Sequence, residues 1–344
     1  MIKFTTGNIL EAPAEALVNT VNCVGVMGKG VALQFKQAYP KNFAAYRAAC
    51  QRGEVQTGRL LVYDNGLFIT PRYIINFPTK QHWKEKSHLD YIDTGLSALV
   101  AEVQARGIRS IAIPPLGAGS GGLDWSVVRP RIEQAFAALP DVAVSIYEPY
   151  GAPAPDRMKV ASDRPTMTPG RAILLVALES YAGPMYRLAM LEVQKLAYFL
   201  QVAGEPLRLT FTKGTYGPYA ETLNHVLQRM EGHFIRGYGD RTGQTAGLTL
   251  LPDAVQAARQ FLEQQPDSLA RSQRVGALIA GFETPYGMEL LATVHWVAQE
   301  NSAAKVDPAV AVQDVHAWNA RKQARFQPAH IEVAWQRLHT QGWL

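Results

Sequence analysis

Twice in its N-terminal part the chain runs an apolar, strand-like segment into a glycine cluster and then into a helical segment. The first instance joins the run Ala16 to Asn22 to the run Val31 to Phe35 through Gly25-Val26-Met27-Gly28-Lys29-Gly30. The second joins Ile108 to Ile113 with Val127 to Ala138 through Pro114-Pro115-Leu116-Gly117-Ala118-Gly119-Ser120-Gly121-Gly122. Glycine turns the chain at φ > 0 and lets backbone N–H groups approach a phosphate closely, while the following helix dipole favours negative charge. The arrangement predicts a phosphorylated ligand, and two such cradles in one domain predict a diphosphate held from both sides.

Composition narrows the class. With 344 residues, 47% of them apolar, the chain exceeds one small core and predicts one large or two medium domains. It opens without a signal-like segment and has no apolar run approaching roughly 18 residues, so a cytoplasmic protein with no membrane partner is expected. Two cysteines, Cys23 and Cys50, exclude a disulfide scaffold and a CxxC zinc pair, and the eight histidines lack metal-binding spacing. Neither metal nor cofactor is expected. A net charge of +5 is compatible with a nucleic-acid substrate, but the charges are spread along the chain.

Periodicity changes near residue 150. Before it, β-branched strands (Ala16 to Val21, Tyr73 to Phe77, Ser110 to Pro114, Val142 to Tyr147) alternate with amphipathic helices (Val31 to Ala38, Tyr91 to Arg106, Trp125 to Ala138). This pattern predicts an α/β domain over 1–149, a mixed, mostly parallel sheet between helices. Residues 150–170 are rich in proline and glycine and read as a linker. Residues 171–344 are mainly helical: Ala172 to Tyr181, Met185 to Val202, Ala220 to Met230, Pro252 to Gln265, Ser268 to Gly281, Met288 to Gln299 and Ile331 to Gln341, with one short β element at Leu207 to Thr212.

Thr6-Gly7-Asn8-Ile9-Leu10, the run Val18 to Cys23 and the two glycine loops together resemble the macrodomain, an ADP-ribose-binding α/β fold, over about the first 150 residues. More narrowly, Asn19 to Ala32, Asn76-Phe-Pro-Thr79-Lys80-Gln-His-Trp83 and Gly122-Leu-Asp124-Trp125 are similar to the DarG branch. Members of that branch are antitoxins of DarT-type toxins, which ADP-ribosylate single-stranded DNA. The resemblance therefore implies hydrolysis of the N-glycosidic bond between ADP-ribose and a thymidine base. Its substrate would be ADP-ribosylated single-stranded DNA, its product free ADP-ribose and its protein partner a DarT-type toxin.

The resemblance also implies roles for single residues. Asn8 and Ile9 would cap the adenine, with Asn8 where macrodomains usually carry Asp; Asn8 also reads as a plain turn residue. Gly28, Lys29, Gly30 and Val31 would line the distal ribose and diphosphate, with Gly117, Ala118, Gly119, Ser120, Gly121 and Gly122 closing the other side. Asn22 would orient the distal ribose or cap the loop that follows it, and Thr79 would line the site beside Lys80. Lys80 follows a strand end, where ligand crevices open in parallel sheets. It would engage the anomeric carbon, which requires a pKa below the usual value of about 10.4 for lysine; an exposed phosphate-binding lysine is the alternative. Asp124 reads equally as an acid–base partner and as a helix N-cap. His82 and Trp83 could stack on an unpaired base or pack in the core.

The second domain carries Leu191 to Leu200 and Phe211-Thr-Lys-Gly-Thr-Tyr216-Gly217-Pro218-Tyr219-Ala220, similar to Panacea-type antitoxin domains. Tyr216 and Tyr219 are the candidate toxin-binding residues, since tyrosine dominates interface energetics. The rival role for this domain is to hold DNA for the first. Two function classes stand: an ADP-ribosyl glycohydrolase with a toxin-sequestering domain, and a non-catalytic ADP-ribose reader with the same second domain. A hydrolase acting on protein-linked ADP-ribose is the third variant.

Overall fold

The computed structural model describes residues 1–150, 158–183, 186–238 and 247–344. It separates into one unit from Met1 to Asp163 and another from Arg164 onward. Of the expected linker, residues 151–157 lie outside the described residues; 158–163 group with the first unit, and a helix already begins at Pro169.

The first unit contains β1 (Ile2–Thr5), β2 (Ala16–Asn22), α1 (Gly30–Ala38), α2 (Pro40–Gln51), β3 (Leu61–Asp64), β4 (Tyr73–Lys80), α3 (Leu89–Arg106), β5 (Ser110–Ile113), α4 (Trp125–Phe136) and β6 (Ala143–Tyr147). They form one sheet in the order β1-β6-β5-β2-β4-β3, with only the β3–β4 pair antiparallel. Strand alternation sorts its two faces. Ala16, Val18, Ile75, Phe77, Ile111 and Ile113 pack on Ile92, Leu96 and Leu99 of α3 and on Val128, Ile132 and Phe136 of α4. Their neighbours Leu17, Ile74 and Ala112 turn the other way, onto Phe35 and Ala38 of α1. Helix α2 was not foreseen: its run of alanines gives a weak apolar stripe, and a proline at its first position starts it.

Asparagines tie α2 to the sheet. Asn19 and Asn76 are paired across β2 and β4, and Asn19 Nδ2 donates to Asn76 Oδ1 at 3.0 Å. Asn76 Nδ2 donates to Asn42 Oδ1 on α2 at 2.8 Å, and all three residues are fully buried. Within a low-dielectric interior such bonds fix the helix to one register, because a slip would strand the amides without partners.

The second unit contains α5 (Pro169–Tyr181), α6 (Met190–Val202), β7 (Thr212–Gly214), β8 (Gly217–Tyr219), α7 (Glu221–Met230), β9 (Ile235–Arg236), β10 (Thr249–Leu250), α8 (Pro252–Leu262), α9 (Pro266–Ile279), α10 (Pro285–Glu300), α11 (Ser302–Val306), α12 (Pro308–Ala317), α13 (Ala320–Arg325) and α14 (Pro328–Thr340). The expected start of α6 at Met185 lies outside the described residues. Helices α11 to α13 were not foreseen, being short and each capped by an Asn or Asp.

The expected strand at Leu207 to Thr212 is a correction. Arg208 sits at φ 56°, which breaks an extended run, and Leu209 has both its N–H and its C=O bonded by the Gln201 side chain at 2.8 and 2.9 Å. A side-chain amide thus does the work of a neighbouring strand. The β element is instead the hairpin β7–β8, held from α6: Gln194 bonds both backbone groups of Ala220, and Lys195 Nζ donates to the Pro218 carbonyl at 2.7 Å.

Lys195 is 2% exposed. Burial, with the neighbouring Lys322 charge, pushes its pKa from 10.5 down to about 7, against the pull of Glu289. The folded state therefore binds fewer protons than the unfolded chain between those values, so stability rises with pH across that window. We expect the urea midpoint of the protein to increase from about pH 7 to about pH 9, and Lys195→Met to flatten that rise.

Candidate active site

Four parallel strands, β1, β2, β4 and β5, deliver the foreseen site residues at their C-terminal ends, and the crevice at that edge is where ligands bind in such sheets. Lys80 ends β4 and is the register partner of Asn22, which ends β2. In unbroken register Asn22 would face Thr79. Instead Val21 pairs with Pro78 and Asn22 with Lys80, leaving Thr79 as an extra residue. Such a bulge re-aims the side chain after it. Pro78 suits the place, since the pairing of β4 with β3 ends at Asn76 and a missing N–H is tolerated there.

Asn22 is occupied with the loop that follows it. Its Oδ1 accepts from the N–H groups of Val24 (3.0 Å) and Val26 (3.3 Å), and its Nδ2 donates to the Val26 carbonyl. Tyr46 of α2, fully buried, donates its hydroxyl to the Asn22 carbonyl at 2.6 Å. This is the loop-capping role that the sequence left open, and Tyr46 is a support that sequence reasoning missed. The loop leads to Lys29 and Gly30, where α1 starts with no side-chain cap on its first N–H groups. Those donors and the helix dipole make an anion seat at the crevice.

The second glycine loop folds back on itself. Leu123 N donates to Gly117 O at 3.1 Å, Gly122 N to Gly119 O at 3.1 Å, and Ser87 N to Gly121 O at 3.0 Å. A Cβ on Gly121 would stand 2.2 Å from the Gly117 oxygen and 2.3 Å from Ser87 Oγ, so only glycine closes this turn. Gly119 and Ser120 lie exposed at its rim, with Ala118 half-buried beside them. Lys80 reaches across to it: Nζ donates to the Ser120 carbonyl at 2.5 Å. Burial pushes the Lys80 amine below the ordinary lysine value, in the direction that nucleophilic chemistry requires.

Asp124 follows the second glycine loop and caps the next helix. Its Oδ1 accepts from Ser126 N (2.9 Å) and Ser126 Oγ (2.8 Å) as the N-cap of α4, and those bonds hold its carboxyl below the usual range. A carboxylate so stabilised is a poorer proton donor. Asn8, with Ile9 buried behind it, likewise caps a short 3-10 turn, accepting from Leu10 N at 3.1 Å and donating to Glu11 at 3.0 Å. Trp83 is 40% exposed, three residues past Lys80. It belongs to the surface rather than to the core. Among the described residues no cluster of His, Cys, Asp and Glu could hold a metal ion, and no helix is long and apolar enough to cross a membrane.

Gly121→Ala is expected to abolish crevice binding while the fold survives. Titration calorimetry with ADP-ribose would show a loss of at least about 100-fold for a loop forced out of shape, with the far-ultraviolet spectrum retained.

The Macro domain family model matches residues 18–132. A Thermus aquaticus protein named DNA ADP-ribosyl glycohydrolase is 51% identical over 342 residues, covering 99% of this chain and 94% of that relative. A Thermosipho africanus DNA ADP-ribosyl transferase-DNA ADP-ribosyl glycohydrolase fusion protein is 32% identical over 170 residues, covering 45% of this chain and 44% of its own. The solved macrodomain of Thermus aquaticus DarG is 60% identical and covers 43% of this chain and 99% of its own, with a TM-score of 0.43. With half of its residues shared along nearly the full length of the Thermus relative, the chain belongs to the DNA ADP-ribosyl glycohydrolase family.

Proposed function

We propose that this protein removes ADP-ribose from thymidine bases of single-stranded DNA and that its second unit neutralises a DarT-type toxin. The observation that carries the enzymatic reading is Lys80: a partly desolvated amine at a strand end, placed between two glycine loops suited to a diphosphate. In its neutral form the amine attacks the anomeric carbon of the distal ribose. The bond to the base breaks as the new C–N bond forms, and the base leaves with the electron pair and takes up a proton from water. Water then displaces Lys80 from the sugar, releasing ADP-ribose and restoring the amine. The bond to Ser120 holds Nζ at the crevice until substrate arrives, and the N–H groups at the start of α1 hold the diphosphate while the sugar reacts.

Release of ADP-ribose from a modified single-stranded oligonucleotide tests this. Lys80→Ala is expected to lose at least about 1,000-fold in kcat with ADP-ribose affinity retained. Asp124→Asn, which keeps a capping oxygen, is expected to stay within about threefold of the parent. For the wild type, kcat/KM should climb with pH and level off below the ordinary lysine value, because burial lowers the Lys80 pKa and the neutral amine is the reactive form. No turnover by the wild type despite ADP-ribose binding would leave a reader. Turnover only on protein-linked ADP-ribose would make it a protein-directed hydrolase.

Support for a toxin partner comes from the Thermosipho africanus relative, whose name joins transferase and glycohydrolase in one chain. On the hairpin β7–β8, Tyr216 is 52% exposed with the Arg321 guanidinium over its ring, and Tyr219 is 36% exposed and bonded to Glu221 and Asn224. Both are rigid aromatics on a braced hairpin. Tyr216→Ala is expected to weaken binding of the toxin by about 30-fold or more in a pull-down titration while leaving ADP-ribose release unchanged.

A further inference from the structure

The segment 81–87 bridges the mouth of the crevice. At its start, Cys23 N from the loop after β2 donates to Gln81 O at 3.1 Å. At its end, Ser87 N donates to Gly121 O of the second glycine loop at 3.0 Å. Between these anchors the chain turns through Glu85 N to His82 O (3.1 Å), and Glu85 Oε2 accepts from His82 N at 3.3 Å. The segment therefore joins the two glycine loops directly after Lys80. Gln81, Trp83, Lys84, Glu85 and Lys86 are all exposed on it, the Glu85 carboxylate being turned back onto His82 N.

We infer that the segment 81–87 is a nucleic-acid subsite, in which the base joined to ADP-ribose stacks on Trp83 while Lys84 and Lys86 contact phosphates of the strand. The inference rests on the proposed function and adds where the strand is held. Three observations carry it. An indole is left 40% exposed on a pinned turn rather than folded into the core. The His82 ring lies 5.3 Å from it at 33°, bracing it from the side. Lys84 Nζ lies 5.0 Å from the ring centroid, and an exposed cation–π contact of that kind is weaker than base stacking, so an arriving base displaces the ammonium toward solvent and backbone phosphate. Stacking tolerates any base, and the two lysines supply attraction that a protein-linked substrate would not use.

The test compares the affinity of a modified single-stranded oligonucleotide with that of free ADP-ribose, in a Lys80→Ala background that prevents turnover, and separately follows turnover with Lys80 present. The parent should bind the oligonucleotide more tightly than ADP-ribose. Trp83→Ala should remove about tenfold of that advantage and raise KM rather than lower kcat; Trp83→Phe should keep most of it. Affinity for ADP-ribose itself should stay within about twofold, which a collapsed loop would not allow. Lys84→Ala combined with Lys86→Ala should reduce the slope of log affinity against log salt by about 1.4. An oligonucleotide bound no more tightly than ADP-ribose, or a Trp83→Ala loss shared equally by both ligands, overturns the subsite. Tight, Trp83-dependent binding with no turnover by the wild type keeps the subsite and rejects the hydrolase.

Discussion

Thr79 has no register partner on β2, and the placement of the Lys80 amine follows from that vacancy in the ladder. The side chains of a strand alternate, so a register kept strictly to the end of β4 would set Lys80 beside Cys23 instead of Asn22. The extra residue shifts Lys80 by one place, opposite the asparagine that organises the first glycine loop and within reach of the carbonyl of the second. Hydrogen bonds from the Cys23 backbone to Gln81 and from Cys23 Sγ to the Lys80 carbonyl, the latter at 3.3 Å, secure the new register beyond the bulge. The shift is tolerated because β3 pairs no further than Asn76, which leaves the end of β4 free to bend on that side.

Around this point three of the foreseen site residues bond the backbone beside them. Asn22, Asn8 and Asp124 all spend their side chains on backbone N–H groups, a use of Asn and Asp wherever a strand or loop enters a helix or turn. The first N–H groups of α1 carry no side-chain cap, and an anion would need no particular side chain there. Tyr46 and the asparagine network behind it give the first loop a buried support, so the N–H groups are arranged before any ligand arrives. Preorganised donors of this kind contribute most where water is excluded.

Much of this was legible in the chain itself, for a physical reason: strand-loop-glycine-helix sequences repeat a backbone geometry that few residue types can adopt. Gly121 shows it, since no other residue fits against the Gly117 oxygen. The α/β alternation was also readable, because strands buried on both faces are continuous apolar runs. What was not readable depended on long-range pairing. No local signal distinguishes Thr79 as a bulge, Tyr46 lies on an alanine-rich helix with a weak stripe, and the Leu207 to Thr212 run looks like a strand until the Gln201 amide takes its backbone bonds. Asp124 was readable both ways, and its bonds to Ser126 give it the capping role.

Two of the desolvated lysines, Lys80 and Lys195, show why a shifted pKa does not by itself identify a reactive group. Lys195 is driven further down than Lys80, to about 7, yet its Nζ is enclosed beneath the β7–β8 hairpin and donates to Pro218 O, with Glu289 nearby shared by Lys322 and Arg321. No ligand can reach it without opening the fold, so its lowered pKa is a cost of burial that helps specify the hairpin's position. Lys80 is shifted in the same direction by the same cause, but it stands at the open end of the sheet with one bond to a loop carbonyl. Desolvation supplies the neutral amine in both places. Of the two, only Lys80 has a strand end, the start of α1 and an exposed aromatic near it along β2 and β4, and that coincidence, rather than the pKa, is what supports the proposal that it reacts.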